Sequence, residues 1–235
     1  MFKWLVAATT VAAVFASGAQ AQDKSFKFLD PAQMPPALTL PAPPADHTPR
    51  ADAELAEVKA IMAGSSPERV AQAKADSQDE SAGFFGDTVP GLDLSHLPVT
   101  KKLFDDLRSD EDLEAKLFKT WFARKRPYQV DTTIVTCDPA DNTTKPSSYP
   151  SGHATMGYSM AVVLADLVPE KGGDVMARAQ LYAENRLVCG VHYRADIVAG
   201  QVLGTLIGEE LLRSPALQTE LEAARAELKA AKVAQ

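Results

Sequence analysis

Helical periodicity from residue 51 onward constrains the fold of this chain more than any other feature of its sequence. Helical patterns cover residues 52–63, 101–107, 110–125, 151–167, 174–187 and 192–212, and further helices begin at Ser66-Pro67 and at the Ser214-Pro215 cap. No convincing run of alternating apolar and polar residues, the pattern of a half-buried strand, interrupts them. The sequence therefore predicts an all-α fold, a single helical-bundle domain over residues 51–235.

The first 50 residues differ in character from the rest. Residues 1–21 have the pattern of a secretory signal peptide: Lys3, an uncharged apolar run over 4–16, and the small residues Ala19 and Ala21 before the cleavage point. An uncleaved anchor is the alternative, but the apolar run is shorter than the roughly 20 residues that a spanning helix needs. Residues 22–50 are rich in proline, which predicts an ordered N-terminal arm or a linker, not a domain. We therefore expect an exported, periplasmic protein.

The net charge and the distribution of apolar residues argue against two classes of partner, nucleic acids and membranes. The formal net charge of −7 lacks the broad basic field of a nucleic-acid binder, so no nucleic-acid partner is expected. No later segment has a comparable apolar run, so we expect no membrane association after signal cleavage.

The two cysteines, Cys137 and Cys189, are candidates for a disulfide in an exported protein; two buried free thiols are the alternative.

Two clusters of polar residues could bind an anion. Lys119 and Arg126 lie seven residues apart in one predicted helical run, so they are expected to share a face that either holds an anion or is simply solvated. Ser151-Gly152 opens an apolar helix, where free backbone N–H groups and the positive end of the helix dipole form a phosphate cradle. His153 lies at the mouth of that cradle, although an ordinary helix N-cap explains the same residues about as well.

The third cluster contains Arg186, His192 and Asp196. The histidine and the aspartate are four apart in a predicted helix, so Asp196 can accept a hydrogen bond from one ring nitrogen and leave the other free as a nucleophile. An isolated pair at this spacing is more often structural. The three clusters together supply cations, a hydroxyl, backbone donors, a nucleophile and an acid, which is what phosphoryl transfer requires. No spacing of carboxylates or histidines predicts a metal site, so neither a metal nor a cofactor is expected.

The three clusters resemble the tripartite signature of the type 2 phosphatidic acid phosphatase superfamily. Within it, the segments Ser148-Tyr149-Pro150-Ser151-Gly152-His153 and Arg186-Leu187-Val188-Cys189-Gly190-Val191-His192, with the proline-rich start, are similar to the bacterial class A nonspecific acid phosphatases. The resemblance implies an all-helical periplasmic homo-oligomer that hydrolyses small phosphate monoesters of broad range through a phosphohistidine, with a possible phosphotransferase side activity.

The resemblance also implies a role for each matching residue. His192 would attack phosphorus with Asp196 orienting it, and His153 would protonate the leaving oxygen and then activate water. The phosphate oxygens would be bound by Lys119, Arg126, Ser151, Gly152 and Arg186. The chain departs from the usual family pattern at Ser147, Ala154 and Asn185, and the last two could alter the polarity of the pocket.

Three other functions remain as alternatives at this stage. A vanadium-dependent haloperoxidase would hold vanadate in the same cradle, bonded to His192, but the short chain and the class A resemblance argue against it. A non-catalytic exported helical binding protein is disfavoured because every group required for catalysis is present. A lipid phosphatase is less favoured because the mature chain has no predicted membrane spans.

Overall fold

The computed structural model of the protein describes residues 25–234, so the predicted signal peptide lies outside the described residues. All regular secondary structure in this range is helical, which confirms the predicted all-α class. None of the described helices is both long and apolar enough to cross a bilayer. The helices are α1 (Pro36–Thr39), α2 (Pro49–Gly64), α3 (Pro67–Gln78), α4 (Pro98–Phe122), α5 (Pro127–Val130), α6 (Gly152–Leu167), α7 (Gly172–Val188), α8 (Arg194–Arg213) and α9 (Gln218–Ala230).

The described part of the proline-rich arm packs against α4. Asp110, which is buried in α4, accepts hydrogen bonds from the backbone N–H groups of Lys27, Phe28 and Leu29. Farther along the arm, Met34 and Leu40 are buried in the main hydrophobic core. The arm is therefore an ordered part of the fold between residues 25 and 50.

Helix α4 is longer at its start and shorter at its end than the sequence predicts. The two predicted runs, 101–107 and 110–125, form one helix that ends at Phe122. Ala123 adopts a left-handed conformation with φ 45°, and its N–H bonds to the carbonyl of Lys119. Arg126 is extended, as expected for a residue before a proline. The prediction that Lys119 and Arg126 share one helical face is therefore wrong, since Arg126 lies beyond the end of α4.

Helices α6 and α8 form the tightest pair in the fold. Three glycines of α8, Gly200, Gly204 and Gly208, face α6, and a Cβ atom at Gly200 would lie 2.7 Å from the Cβ of Ala154. The interpretation of these glycines as a close-packing stripe is confirmed. This contact sets the N-termini of the two helices side by side, where the N–H of Ser151 donates to the carbonyl of Asp196 at 3.0 Å.

Two helix starts differ from their predicted positions. Helix α8 begins at Arg194, so His192 lies in the preceding loop and not in the helix itself. The last helix begins at Gln218 instead of Ser214-Pro215, because Ser214 closes α8 by donating its N–H to the carbonyl of Leu211. The first of these differences matters for the site, because it places a histidine where a loop, α6 and α8 meet.

Candidate active site

A cavity of about 660 Å³ opens where the end of α4, the start of α6 and the end of α7 converge. Most of the residues singled out in the sequence line it, although they come from distant parts of the chain. Ser151 and Asp196 are fully buried and are not among the residues that line the cavity. The catalytic and phosphate-binding candidates that line it are Lys119, Arg126, Gly152, His153, Arg186 and His192.

His192 is buried in the wall of this cavity with its two ring nitrogens in different surroundings. Nδ1 lies 3.3 Å from Oδ2 of Asp196, and Nε2 lies 3.2 Å from Nη1 of Arg126. Because a carboxylate accepts and a guanidinium donates, this arrangement puts the proton on Nδ1 and the lone pair on Nε2. Burial, followed by the charges of Arg126 and Lys119, lowers the pKa of His192 well below its usual value. The imidazole is therefore neutral and has its lone pair available.

Asp196 holds His192 from the start of α8, and it is itself held by several donors. Its Oδ2 accepts from the hydroxyl of Ser148 at 2.5 Å and from the backbone N–H of Tyr193 at 2.9 Å. Its Oδ1 accepts from Nη1 of Arg124 at 2.7 Å. Burial raises the pKa of the Asp196 carboxyl, and the positive charge of Arg124 opposes that rise. Neither Ser148 nor Arg124 was assigned a role from the sequence.

Arg186 is a buried cation with free donors. It belongs to α7 and is only 7% exposed, and its Nε and Nη1 have no hydrogen-bond partner among the described residues. Burial lowers its pKa to about 10, so it remains charged at neutral and acidic pH. A buried guanidinium with unpartnered donors is costly unless an anion completes its bonding, so this residue points to an anion in the cavity.

Arg126 and Lys119 bring two further positive charges to the same cavity. Arg126 is anchored by bonds from Nη1 to the carbonyl of Val191 and from Nη2 to the carbonyl of Ser147. Nζ of Lys119 lies 2.9 Å from where a Cβ atom on Gly152 would be, so glycine at this position leaves room for the ammonium. Burial and the charge of Arg126 lower the pKa of Lys119 to about 8. The cations therefore converge on the N-terminus of α6.

Ser151 has a structural role at that N-terminus. Its Oγ is the N-cap acceptor for the N–H of Ala154 at 3.4 Å, and the side chain is fully buried. Binding of phosphate by its hydroxyl stays a prediction.

His153 lies in the first turn of α6 and lines the cavity. Its Nε2 donates to the carbonyl of Ser77 at 3.2 Å, so Nδ1 is left as the other titrating position. The ring stacks against Tyr182, and Nε2 lies 3.7 Å from Oε1 of Glu80. Burial, followed by the charge of Arg186, lowers the pKa of His153 well below its usual value.

The three departures from the family pattern have different locations. Ser147 lines the cavity. Asn185 does not, and its Nδ2 donates to Oδ2 of Asp76 at 2.6 Å. Ala154 is buried against Gly200 in the α6–α8 contact. Of these three positions, only residue 147 can contact a ligand in the cavity directly.

The predicted disulfide is present. Cys137 and Cys189 are bonded with their Cα atoms 4.8 Å apart, and both line the cavity. The bridge joins positions 52 residues apart and ties the loop before α6 to the end of α7. In the chain-entropy model a loop of this length contributes about 4 kcal/mol to the free energy of unfolding.

An acidic group, Glu111 of α4, also lines the cavity near the cations. It is only 2% exposed; its Oε2 accepts from Nη1 of Arg108 at 3.1 Å, and its Oε1 has no partner among the described residues. Burial raises the pKa of this carboxyl to about 8. Within residues 25–234, no three His, Cys, Asp or Glu side chains are grouped so that they could hold a metal ion.

Sequence comparison finds named relatives of the chain. An acid phosphatase of Zymomonas mobilis is 35% identical over 144 residues, which are 60% of this chain and 54% of that protein. A non-specific acid phosphatase of Salmonella typhimurium is 36% identical over 112 residues, 47% of this chain and 44% of that protein. The chain thus spans about half the length of the curated relatives that it matches.

Structure comparison finds a shared fold, and a family model matches part of the chain. A bacterial vanadium-dependent iodoperoxidase superposes with a TM-score of 0.55 at 20% identity, over 76% of this chain and 53% of that one, which shows a shared helical fold. Residues 113–219 match the model of the PAP2 superfamily, and this segment contains the three sequence clusters. Residues 113–219 therefore form a PAP2 superfamily domain, in a chain related to the bacterial non-specific acid phosphatases.

Proposed function

We propose that this protein is an acid phosphatase that hydrolyses small phosphate monoesters through a phosphohistidine on His192. The observation that carries the proposal is the buried guanidinium of Arg186, which lines the cavity and whose Nε and Nη1 have no partner among the described residues. Lys119 and Arg126 line the same cavity, so an anion with several oxygens matches its charge. The relatives named acid phosphatase support the same function.

The first chemical step transfers the phosphoryl group to the protein. Nε2 of His192 attacks phosphorus, the P–N bond forms and the ester P–O bond breaks. Asp196 accepts the Nδ1–H of His192 and stabilises the positive charge that develops on the ring. The proton for the leaving oxygen comes from His153. Burial and then the charge of Arg186 lower the pKa of His153, and a bound phosphate dianion offsets the second of these causes, so substrate binding favours the protonated ring.

The second step returns the site to its starting state. His153, now neutral, takes a proton from a water molecule that attacks the phosphohistidine. The P–N bond breaks, inorganic phosphate is released and His192 recovers its lone pair. The cations that hold the phosphoryl oxygens act in both steps, since the oxygens carry negative charge throughout.

The setting proposed for this activity is the periplasm, reached through the N-terminal signal peptide. The Cys137–Cys189 disulfide supports an oxidising compartment. A homo-oligomer is proposed on the family resemblance alone, and its test is the mass of the purified protein in solution.

A vanadium-dependent haloperoxidase is the second candidate, favoured by the structural likeness to an iodoperoxidase. The sequence relatives with the higher identity are named acid phosphatases, so hydrolysis is preferred. Halide oxidation by hydrogen peroxide in the presence of vanadate, without phosphate release, would reverse this preference.

The purified protein is expected to release phosphate from 4-nitrophenyl phosphate and from an alkyl phosphate at acidic pH. Extensive treatment with EDTA should leave the rate unchanged, because Lys119, Arg126 and Arg186 supply the positive charge. Vanadate should inhibit competitively as a mimic of the trigonal-bipyramidal transition state. Loss of activity with EDTA that zinc or magnesium restores would contradict the metal-independent mechanism, and absence of phosphate release would contradict the function.

The fall of kcat/KM at alkaline pH, the alkaline limb of its pH profile, should depend on Glu111. Below its pKa of about 8 the carboxyl is neutral; above it the carboxylate repels a bound phosphate and pairs with Lys119. Since kcat/KM falls as pH rises through this value, Glu111→Gln should make the alkaline limb less steep, because one titrating group fewer acts on the bound phosphate. Lys119, whose pKa is also about 8, still limits the profile in that variant.

Glu114→Gln is the matched control for this measurement. Glu114 is a buried carboxyl of the same helix with both oxygens unpartnered among the described residues, but it does not line the cavity. Its replacement should leave the pH profile of kcat/KM unchanged. Identical profiles for wild type and Glu111→Gln would show that Glu111 does not act on the bound phosphate.

A further inference from the structure

A buried chain of charged groups leads from α2 to the proposed nucleophile. Oε2 of Glu54 accepts from Nη2 of Arg124 at 2.7 Å, and Nη1 of Arg124 donates to Oδ1 of Asp196 at 2.7 Å. The other oxygen of Asp196 faces Nδ1 of His192. All four residues are less than 10% exposed. We infer that Arg124 and Glu54 are positioning residues for the proposed reaction, acting on His192 through Asp196.

Asp196 needs a positive charge beside it to remain an ionised carboxylate. It is fully buried, and a carboxylate removed from water without a cation tends to take up a proton. A protonated carboxyl would keep one oxygen for its own proton and could not serve all the donors around it. These donors are the hydroxyl of Ser148, the N–H of Tyr193, the guanidinium of Arg124 and the ring of His192. Arg124 is the cation that keeps Asp196 an acceptor.

Glu54 fixes Arg124 in the orientation that reaches Asp196. While Oε2 holds the guanidinium, Oε1 accepts from the backbone N–H of Ala195, the residue before Asp196, at 2.9 Å. The guanidinium also lies over the ring of Tyr193, 4.1 Å from its centroid. Arg124 is therefore held on three sides, and α2 is tied to the first turn of α8.

The net charge of Glu54, Arg124 and Asp196 together favours the proposed reaction. Glu54 and Asp196 are negative and Arg124 is positive, so the group carries one net negative charge behind His192. Phosphorylation at Nε2 leaves a positive ring that still has its Nδ1 proton, and that charge is stabilised by the net negative group. Removing Arg124 would leave two buried carboxyls close together, where protonation relieves their repulsion.

An ion pair that joins α2 directly to α8 provides a matched control. Nε of Arg194, in α8, donates to Oε1 of Glu57 in α2 at 2.9 Å, and its side chain is 33% exposed. It also contacts Glu184 of α7. Arg194→Met removes an α2–α8 contact without touching Asp196, so it separates loss of helix docking from loss of the counter-charge.

The test measures the tautomer of His192 and the burst of nitrophenol in Arg124→Met, Glu54→Gln and Arg194→Met. In ¹⁵N spectra, wild type and Arg194→Met should show a proton on Nδ1 of His192, whereas Arg124→Met should lose this single tautomer. The burst rate should fall about 10–100-fold in Arg124→Met with little change in KM, as for other residues that orient a catalytic group. The acid limb of its kcat/KM profile should move to higher pH, because Asp196 must ionise without its cation. Glu54→Gln should show the same changes to a smaller extent, since the bond from Arg124 to Asp196 remains.

The outcomes distinguish this inference from the proposed function on which its kinetic part rests. An inactive wild-type protein would contradict the function, while the ¹⁵N measurement would still test the role of Arg124. A wild-type burst rate, pH profile and tautomer in Arg124→Met would overturn the inference. If Arg124→Met does not fold, Arg124→Lys keeps the charge with fewer donors; its acid limb should stay near that of wild type while its burst rate falls, and an unchanged burst rate would overturn the inference.

Discussion

Replacing His192 by alanine is expected to abolish phosphate release from every phosphate monoester, with a loss of at least about 10⁴-fold in kcat. The residue supplies the only atom proposed to bond to phosphorus, so the loss should not depend on the leaving group. Binding should survive better than turnover, because Lys119, Arg126 and Arg186 remain in the cavity.

The measurement is the amount of acid-labile phosphate on the protein after rapid mixing with 4-nitrophenyl phosphate. Wild type should accumulate it and His192→Ala should not. His96→Ala is the control, because this histidine pairs with Asp93, its side chain is 83% exposed and it does not line the cavity. A burst of nitrophenol and labile phosphate on His192→Ala would show that another residue is the nucleophile.

The helical class of the fold could be predicted from the sequence because the period of apolar residues is local information. The ends of the helices could not be placed with the same certainty. Helix α4 ends at Phe122 because Ala123 takes a left-handed conformation, and alanine gives no signal for that conformation in a sequence. Because of this turn, Lys119 reaches the cavity from α4 and Arg126 reaches it from the segment beyond the helix.

Some residues of the candidate site belong to short sequence patterns, and others are brought together only by contacts between distant parts of the chain. The clusters around Lys119, His153 and His192 were found because each is a short pattern with a chemical meaning, and all three line one cavity. The ion pairs behind His192 were missed because Arg124 lies 70 residues from Glu54 and 72 from Asp196 along the chain. A single sequence does not reveal contacts at this separation.

Alanine at His153 is expected to reduce activity according to the basicity of the leaving group. An alkyl phosphate leaves as a strongly basic alkoxide and needs a proton, so its phosphorylation step should slow by about 10²–10⁴-fold. 4-Nitrophenyl phosphate leaves as a stabilised phenolate and needs little help, so His153→Ala should retain much more of that step. The two esters serve as matched controls in one variant, since any general damage to the fold affects both.

The steady-state rate would hide this difference, because His153 is also proposed to activate water for the second step. A variant that forms the phosphohistidine normally but hydrolyses it slowly turns over slowly with both esters. The pre-steady-state burst of nitrophenol reports the first step alone, and labile phosphate should accumulate on His153→Ala after the burst. If His153→Ala shows no burst while His192→Ala shows one, the nucleophile and the acid are assigned the wrong way round. Equal slowing of phosphorylation with both esters would instead remove His153 from the role of general acid.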